Sequence, residues 1–266
     1  MTGQPGGQDP IPHRHPGLHV LARAKRAARL ATAPWRPLPD TLLIGGIRCG
    51  STSLHDWLVE VGYQHPGVDR KVEVHYFDRN AERGERWYRA WYPLRGTGPA
   101  IDSSPSYLCT PGVAERAADL LPDATVLAVL RHPAARAASH FAWRRARGHE
   151  PLPTIEEALA DEPRRRAAGE VLGCYRLHSD YAPALRAWER AFGPDRVHAF
   201  VSEQLFANDP EELARLGAAC GIAAPPPFPR SNVGPEHETD PWLVADLAPI
   251  VAEVEELLGR PTGWGR

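Results

Sequence analysis

Residues 41–54, TLLIGGIRCGSTSL, join an uninterrupted aliphatic run to a glycine-bounded turn and then to a helix-forming stretch. A run with no polar alternation suits a strand buried on both faces, and hence a parallel sheet covered by helices. The spacing Gly45-x-x-x-x-Gly50 lets the backbone curl so that its amides converge on an anion, with the positive end of the following helix behind them. In an ATP or GTP hydrolase the next position holds a Lys that reaches the β- and γ-phosphates, followed by a Ser or Thr on magnesium. Here that position is Ser51, followed by Thr52 and Ser53, and the fixed cation is Arg48 within the turn. The loop keeps a phosphate cradle and its hydroxyls but lacks the Lys of γ-phosphate chemistry.

From Leu42 onward, strand-like and helix-like segments alternate, which predicts an α/β fold: a P-loop-like three-layer domain whose mostly parallel central sheet is flanked by helices. TVLAVL, residues 125–130, reads as a second buried strand, RVHAFV at 196–201 as another, and VEVHYF at 72–77 as a short one. Helical patterns cover residues 51–62, 133–147, 179–192, 211–221 and 242–259. A chain of 266 residues, 42% hydrophobic, suits one such domain, predicted over residues 39–266. Residues 1–38 read as a basic arm: MTGQPGGQDPIPHRHPG has no hydrophobic periodicity and is expected to be disordered. LHVLARAKRAARLATA after it can form a basic amphipathic helix that docks on the domain or on an anionic surface. His13, His15 and His19 lack a carboxylate or Cys partner and are assigned no metal.

Charge and cysteine usage bound the partners. A formal net charge of -2 argues against general nucleic-acid binding, and no apolar run is long enough to span a bilayer. Cys49, Cys109, Cys174 and Cys220 are scattered without a C-x-x-C pair, which indicates neither a zinc knuckle nor a disulfide framework and makes the cytoplasm the simplest setting.

Two further constellations carry chemistry. In LRHPAARAASHF, residues 130–141, Arg131 ends a buried strand and Ser139 follows two helical turns later, so both can lie at the sheet edge where the phosphate loop opens. An Arg fork and a hydroxyl suit a second phosphate; a strand-end Arg paired with a carboxylate is the structural alternative. In KVEVHYFD, residues 71–78, alternation along a strand puts Glu73 and His75 on one face, either as a proton-handling pair or as a satisfied contact on a sheet edge.

In residue types, order and spacing, these segments resemble the sulfotransferases that use 3′-phosphoadenosine 5′-phosphosulfate (PAPS), in particular the branch that includes the heparan sulfate sulfotransferases and their bacterial relatives. The resemblance covers roughly residues 41–210 and extends to SDYAPALRAW and FVSEQLFANDP downstream. It implies that IGGIRCGSTSL binds the 5′-phosphosulfate through Arg48, Cys49, Gly50, Ser51, Thr52 and Ser53, and that Arg131 and Ser139 bind the 3′-phosphate. It also implies that Glu73 is the catalytic base, that Arg48 and His75 assist as catalytic groups, and that no metal is required. Where heparan-type relatives carry Glu-Lys-Ser/Thr-Pro, this chain has Asp102-Ser103-Ser104-Pro105, so Ser103 stands in for a Lys that faces the acceptor. With Asp78, Ser103 is the position expected to touch a carbohydrate or small-molecule acceptor.

The family's late basic Gly-rich loop has only SNVGPEHETDP, residues 231–241, in its place, without a Lys or Arg cluster. Trp143, Arg144, Arg145 and Arg147 can line an acceptor cleft or form a solvated helix end, and Tyr88, Trp91 and Tyr92 can stack on a sugar or pack in the core. A P-loop small-molecule or nucleotide kinase and a non-catalytic nucleotide-binding module remain the alternatives to sulfuryl transfer.

Overall fold

The computed structural model describes residues 19–67, 73–94, 98–231 and 239–265. The disorder expected at the N-terminus, the start of the KVEVHYFD segment and most of the stretch expected to replace the late basic loop lie outside the described residues. Four strands form one parallel sheet in the order β2-β1-β3-β4: β1 (Thr41–Gly45), β2 (Ile101–Ser103), β3 (Thr125–Leu130) and β4 (Val197–Val201). Every residue of β1 is buried, as is all of β3 except Thr125, which is what their unbroken aliphatic runs require. The edge strand β4 is half exposed along its first three residues.

The described helices are α1 (His19–Ala31), α2 (Ser51–Glu60), α3 (Glu85–Arg89), α4 (Val113–Leu120), α5 (Pro133–Arg145), α6 (Ile155–Ala160), α7 (Glu162–Ala167), α8 (Tyr181–Phe192), α9 (Ser202–Phe206), α10 (Pro210–Ala219) and α11 (Pro241–Leu258). They flank the sheet and complete the α/β, P-loop-like arrangement. α5 starts with Pro133 in its first turn, with the His132 side chain accepting from the Ala134 amide. The basic segment before β1 is helical and docked: Arg29 of α1 donates to the Ala90 carbonyl and, at 2.6 Å, to that of Trp91. Tyr88, Trp91 and Tyr92 belong to the core, at 0%, 1% and 0% exposure, and so cannot stack on a sugar.

Two elements differ from the sequence reading. β2 was not expected, because three residues with a central Asp102 carry no strand signal; it forms because β1 offers it an unpaired edge, with Thr41, Leu42 and Leu43 opposite Ile101, Asp102 and Ser103. VEVHYF is not a strand: His75 is left-handed (φ 50°) and Tyr76–Asn80 form a single π-helical turn. Its aromatic residues serve packing instead, with Tyr76 stacked on Tyr88 at 4.2 Å between ring centroids and Phe77 edge-on to Tyr88. Extended propensity in such a segment records burial as much as backbone preference.

The strand order fixes where a ligand can sit. The chain pairs β2 on one side of β1 and β3 on the other, so the turns leaving β1 and β3 diverge over a crevice at the carboxyl end of the sheet. Gly45 stands at that edge with φ 142°, and a Cβ there would lie 2.5 Å from the Pro105 carbonyl oxygen. Gly45→Ala is expected to lower stability by roughly 1–3 kcal/mol, read as a shifted midpoint in urea; an unchanged midpoint would show that the strand end tolerates a side chain.

Candidate active site

The turn after β1 is built largely from main chain. The Gly46 N–H donates to the Val129 carbonyl at 2.6 Å and the Cys49 N–H to that of Gly46 at 3.2 Å, which ties the turn to β3. The amides left to face an anion are those at the crest of the turn and in the first turn of α2, which a helix cannot pair internally. Gly50, at φ 94°, caps α2 and packs so closely on Phe206 that a Cβ would come 3.0 Å from its ring.

Two expected ligand contacts prove to be structural at the side chain. Cys49 is wholly buried with its thiol 3.5 Å from the Tyr181 hydroxyl, and burial pushes its pKa up. Ser53 is equally buried, and its hydroxyl donates to the Ser231 carbonyl (3.0 Å) while accepting from the Ser231 amide (3.1 Å). Ser53 thereby anchors the start of the 231–241 segment beside the anion loop.

Arg48 is the cation of the turn, held at φ 65°. Its Nε donates to the Ser139 hydroxyl on α5 at 3.2 Å, so the two segments expected to bind separate phosphates are in direct contact. Burial lowers the Arg48 pKa, and the nearby charges of Arg131 and Arg147 lower it further. Among the described residues no ion pair joins Arg48 or Arg131 to a carboxylate, and Arg48 has the Ser139 hydroxyl as its partner. The backbone of the turn after β3 is fixed from two sides: the Arg131 carbonyl accepts from Tyr181 at 2.9 Å, and the His132 amide donates to Glu203 of α9 at 3.0 Å. Cations gathered in this way repel one another, and an anion that joins them relieves the cost.

The second cluster lies at the end of β2. His75 Nε2 is 3.2 Å from Glu73 and its Nδ1 is 3.1 Å from Asp78 Oδ2. The proximity expected of Glu73 and His75 is present, although a bent backbone rather than strand alternation produces it. Burial opposes charge on the imidazole, but the hydrogen bonds to Asp78 and Glu73 outweigh it and push the His75 pKa up to about 9. Burial likewise acts to raise the Asp78 pKa, yet His75, Ser106 and Arg79 together bring it below the usual carboxylate range.

Of the two residues expected to touch an acceptor, Asp78 lines the neighbouring cleft and Ser103 does not. Asp78 Oδ2 accepts from Ser106 at 2.6 Å and pairs with His75, while Oδ1 is buried, so the carboxylate orients the imidazole. Ser103 faces inward from β2, is 0% exposed, and its hydroxyl lies 2.7 Å from His55 Nδ1 under α2. Ser106 was missed by sequence reasoning; the polar SSPS run after Asp102 is the signal that could have found it.

A cleft of about 930 Å³ opens beside this cluster, lined by Asp78, Arg79, Ser106, Arg116, Arg144 and Arg164 among others. Of the basic residues expected to line an acceptor site, Arg144 reaches the cleft wall, whereas Arg147 stacks on Trp143 at 4.2 Å. Among the described residues no group of three or more His, Cys, Asp or Glu side chains could hold a metal ion, and no helix is long and apolar enough to cross a membrane.

Comparison with known proteins gives this arrangement a family. No protein-family model matches the chain. It is 28% identical over 257 residues to the human heparan sulfate glucosamine 3-O-sulfotransferase 3B1, covering 84% of this chain and 62% of the relative. It is 32% identical over 204 residues to the human heparan sulfate glucosamine 3-O-sulfotransferase 6, covering 73% and 55% respectively, so the chain spans a little over half the length of these relatives. Among solved structures, a sulfotransferase from Alicyclobacillus acidocaldarius superposes with a TM-score of 0.71 at 28% identity, covering 86% of this chain and 100% of that one. On this similarity of sequence and fold, the chain belongs to the sulfotransferase family.

Proposed function

We propose that the protein moves a sulfuryl group from PAPS to a hydroxyl or amine of a carbohydrate or small-molecule acceptor and releases 3′-phosphoadenosine 5′-phosphate (PAP). The observation that carries this reading is the hydrogen bond between Arg48 and Ser139, which makes one continuous anion site out of the turn after β1 and the helix after β3. The residues fit a donor with two separated anionic groups. Gly45 and Gly46 stand where a Cβ would collide with Pro105 and Cys49, and the positive charges of Arg48, Arg131 and Arg147 crowd together. The donor supplies an activated sulfuryl group when bound; everything else must come from the chain.

The division of labour follows from position. Amides at the crest of the turn and in the first turn of α2, with the Ser51 and Thr52 hydroxyls, hold the 5′ side; Arg131 and Ser139 hold the 3′ side. Arg48, partly withdrawn from water, offsets negative charge that grows beside the turn. Glu73, with 42% of its side chain exposed, is the carboxylate able to receive a proton from an acceptor. His75 orients it from the other side, held by Asp78 and Ser106.

The names of the similar human enzymes point to a sugar hydroxyl as acceptor, and the arginines of the cleft favour an acceptor that carries negative charge. Four free thiols support a reducing, cytoplasmic setting, with residues 39–266 as the catalytic unit. A kinase is disfavoured by Ser51 in the Lys position and by the similarity to sulfotransferases in sequence and structure.

Calorimetric titration tests the donor. PAP is expected to bind with a Kd on the order of micromolar, with ADP and magnesium-ATP much weaker, and Arg131→Ala to abolish the preference for PAP. Tighter binding of ATP would bring back the kinase. Glu73→Gln is expected to leave PAP affinity intact and to lower kcat by on the order of a hundredfold or more; unchanged turnover would remove Glu73 as the base.

The clamp on His75 also leaves a signature in stability. Because its pKa is raised on folding, His75 contributes stability that is complete below the ordinary imidazole value near 6.5 and is lost as pH rises through about 9. The gap in urea midpoint between the wild type and His75→Gln should therefore narrow across that window. A gap that does not vary with pH would mean that the imidazole is neutral in the folded protein.

A further inference from the structure

We infer that Asp102 is a positioning residue for the catalytic segment: from within the core it holds residues 73–78 in their working geometry through two hydroxyl relays, Ser104 to the His75 amide and Tyr107 to the Phe77 amide. The inference rests on the sulfotransferase reading for its functional meaning and on geometry for its substance. Asp102 sits in the middle of β2 and is 0% exposed. A carboxylate this deeply buried persists only when hydrogen bonds satisfy it. Three hydroxyls do so here: Ser104 to Oδ1 at 2.8 Å, and Tyr88 and Tyr107 to Oδ2 at 2.7 and 2.9 Å.

Two of those hydroxyls reach onward. Ser104 Oγ accepts the His75 N–H at 3.1 Å, and the Tyr107 hydroxyl accepts the Phe77 N–H at 3.2 Å. Each hydroxyl gives its proton to the carboxylate and a lone pair to the amide, so Asp102 orients both relays, although burial pushes its own pKa up. The carbonyls of the same segment are held by other side chains: Asn80 donates to Val74 and to His75, both at 3.0 Å, and Arg116 donates to Phe77 at 2.9 Å. A backbone bent through a left-handed His75 leaves the strand pattern, and apart from the Arg79 amide, which donates to the His75 carbonyl at 3.2 Å, these contacts come from side chains.

The third hydroxyl is a built-in control. Tyr88 donates to the same Oδ2 but accepts no amide of the segment, and its ring packing on Tyr76 and Phe77 does not involve the oxygen. Removing it costs Asp102 one donor without breaking a relay. If Asp102 were only a satisfied core polar group, Tyr88→Phe, Tyr107→Phe and Ser104→Ala would be equivalent. If it positions the catalytic segment, Tyr88→Phe separates from the other two.

The test compares these three variants, and Asp102→Asn where it folds, in three measurements. The first is NMR titration of the His75 imidazole, assigned by its disappearance in His75→Gln. The second is PAP affinity by calorimetry, and the third is kcat for transfer from PAPS to heparan sulfate as the probe acceptor. Glu73, Asp78, Arg79 and Ser106 surround that ring, and all remain unchanged in the variants.

In Tyr107→Phe and Ser104→Ala the His75 titration is expected to fall from about 9 toward the ordinary value near 6.5. For the same two variants kcat should drop by about tenfold or more while PAP affinity holds. Tyr88→Phe should match the wild type in all three measurements. Equal behaviour of the three variants, or a His75 titration unmoved in Tyr107→Phe and Ser104→Ala, would overturn the inference. The NMR arm needs neither donor nor acceptor, so a wild type that fails to sulfate heparan sulfate would count against that acceptor and leave this test standing.

Discussion

The positive charge gathered by Arg48 and Arg131 at the carboxyl end of the sheet is the constraint around which the rest of the site is arranged. Two guanidinium groups, with that of Arg147 nearby, lie in a partly desolvated crevice, and the pKa of Arg48 is lowered by burial and by its neighbours. Hydrogen bonds to main chain hold the surrounding turns: Gly46 on Val129, Tyr181 on Arg131, Glu203 on His132. Ser139, rather than an acid, occupies the position beside Arg48 and leaves the charge available to a ligand. An acid there would neutralise the site and compete with any phosphate.

The acid–base half of the site follows a different principle. Its segment gives up regular secondary structure so that Glu73, His75 and Asp78, spread over six residues, meet around one imidazole. The irregular backbone is held by side chains from the turn after β2, from α4 and from the segment's own end: Ser104 and Tyr107 take up its amides, Arg116 and Asn80 its carbonyls. Asp102 stands behind two of these contacts, which gives a buried acid in a three-residue strand a physical reason to exist. The anion half is therefore rigid through main chain, and the acid–base half through a side-chain network.

Legibility from sequence divided along the same line. β1, β3 and the helices after them were readable because unbroken aliphatic runs and helical periodicity are local signals, and the strand order then forces Arg48, Arg131 and Ser139 to one edge. Glu73 and His75 were correctly paired from a strand that does not exist, because two residues two apart can also meet across a left-handed bend. β2 and its serines were not readable. Asp102, Ser103 and Ser104 look like a polar turn, and only the tertiary partners reveal that Ser103 turns inward to His55 while Ser104 and Ser106 turn toward His75. Cys49 and Ser53 matched a binding motif as letters, yet their side chains face the core.

The central claim, that one anion site spans the turn after β1 and the helix after β3, is tested most directly by a crystal structure of the protein with PAP bound. The account predicts the 5′-phosphate against the amides of residues 47–52 and the 3′-phosphate within hydrogen-bonding distance of both Arg131 and the Ser139 hydroxyl, with Arg48 between them. A complex in which the 3′-phosphate points to solvent, or in which PAP occupies the arginine-lined cleft instead of the turn, would contradict it.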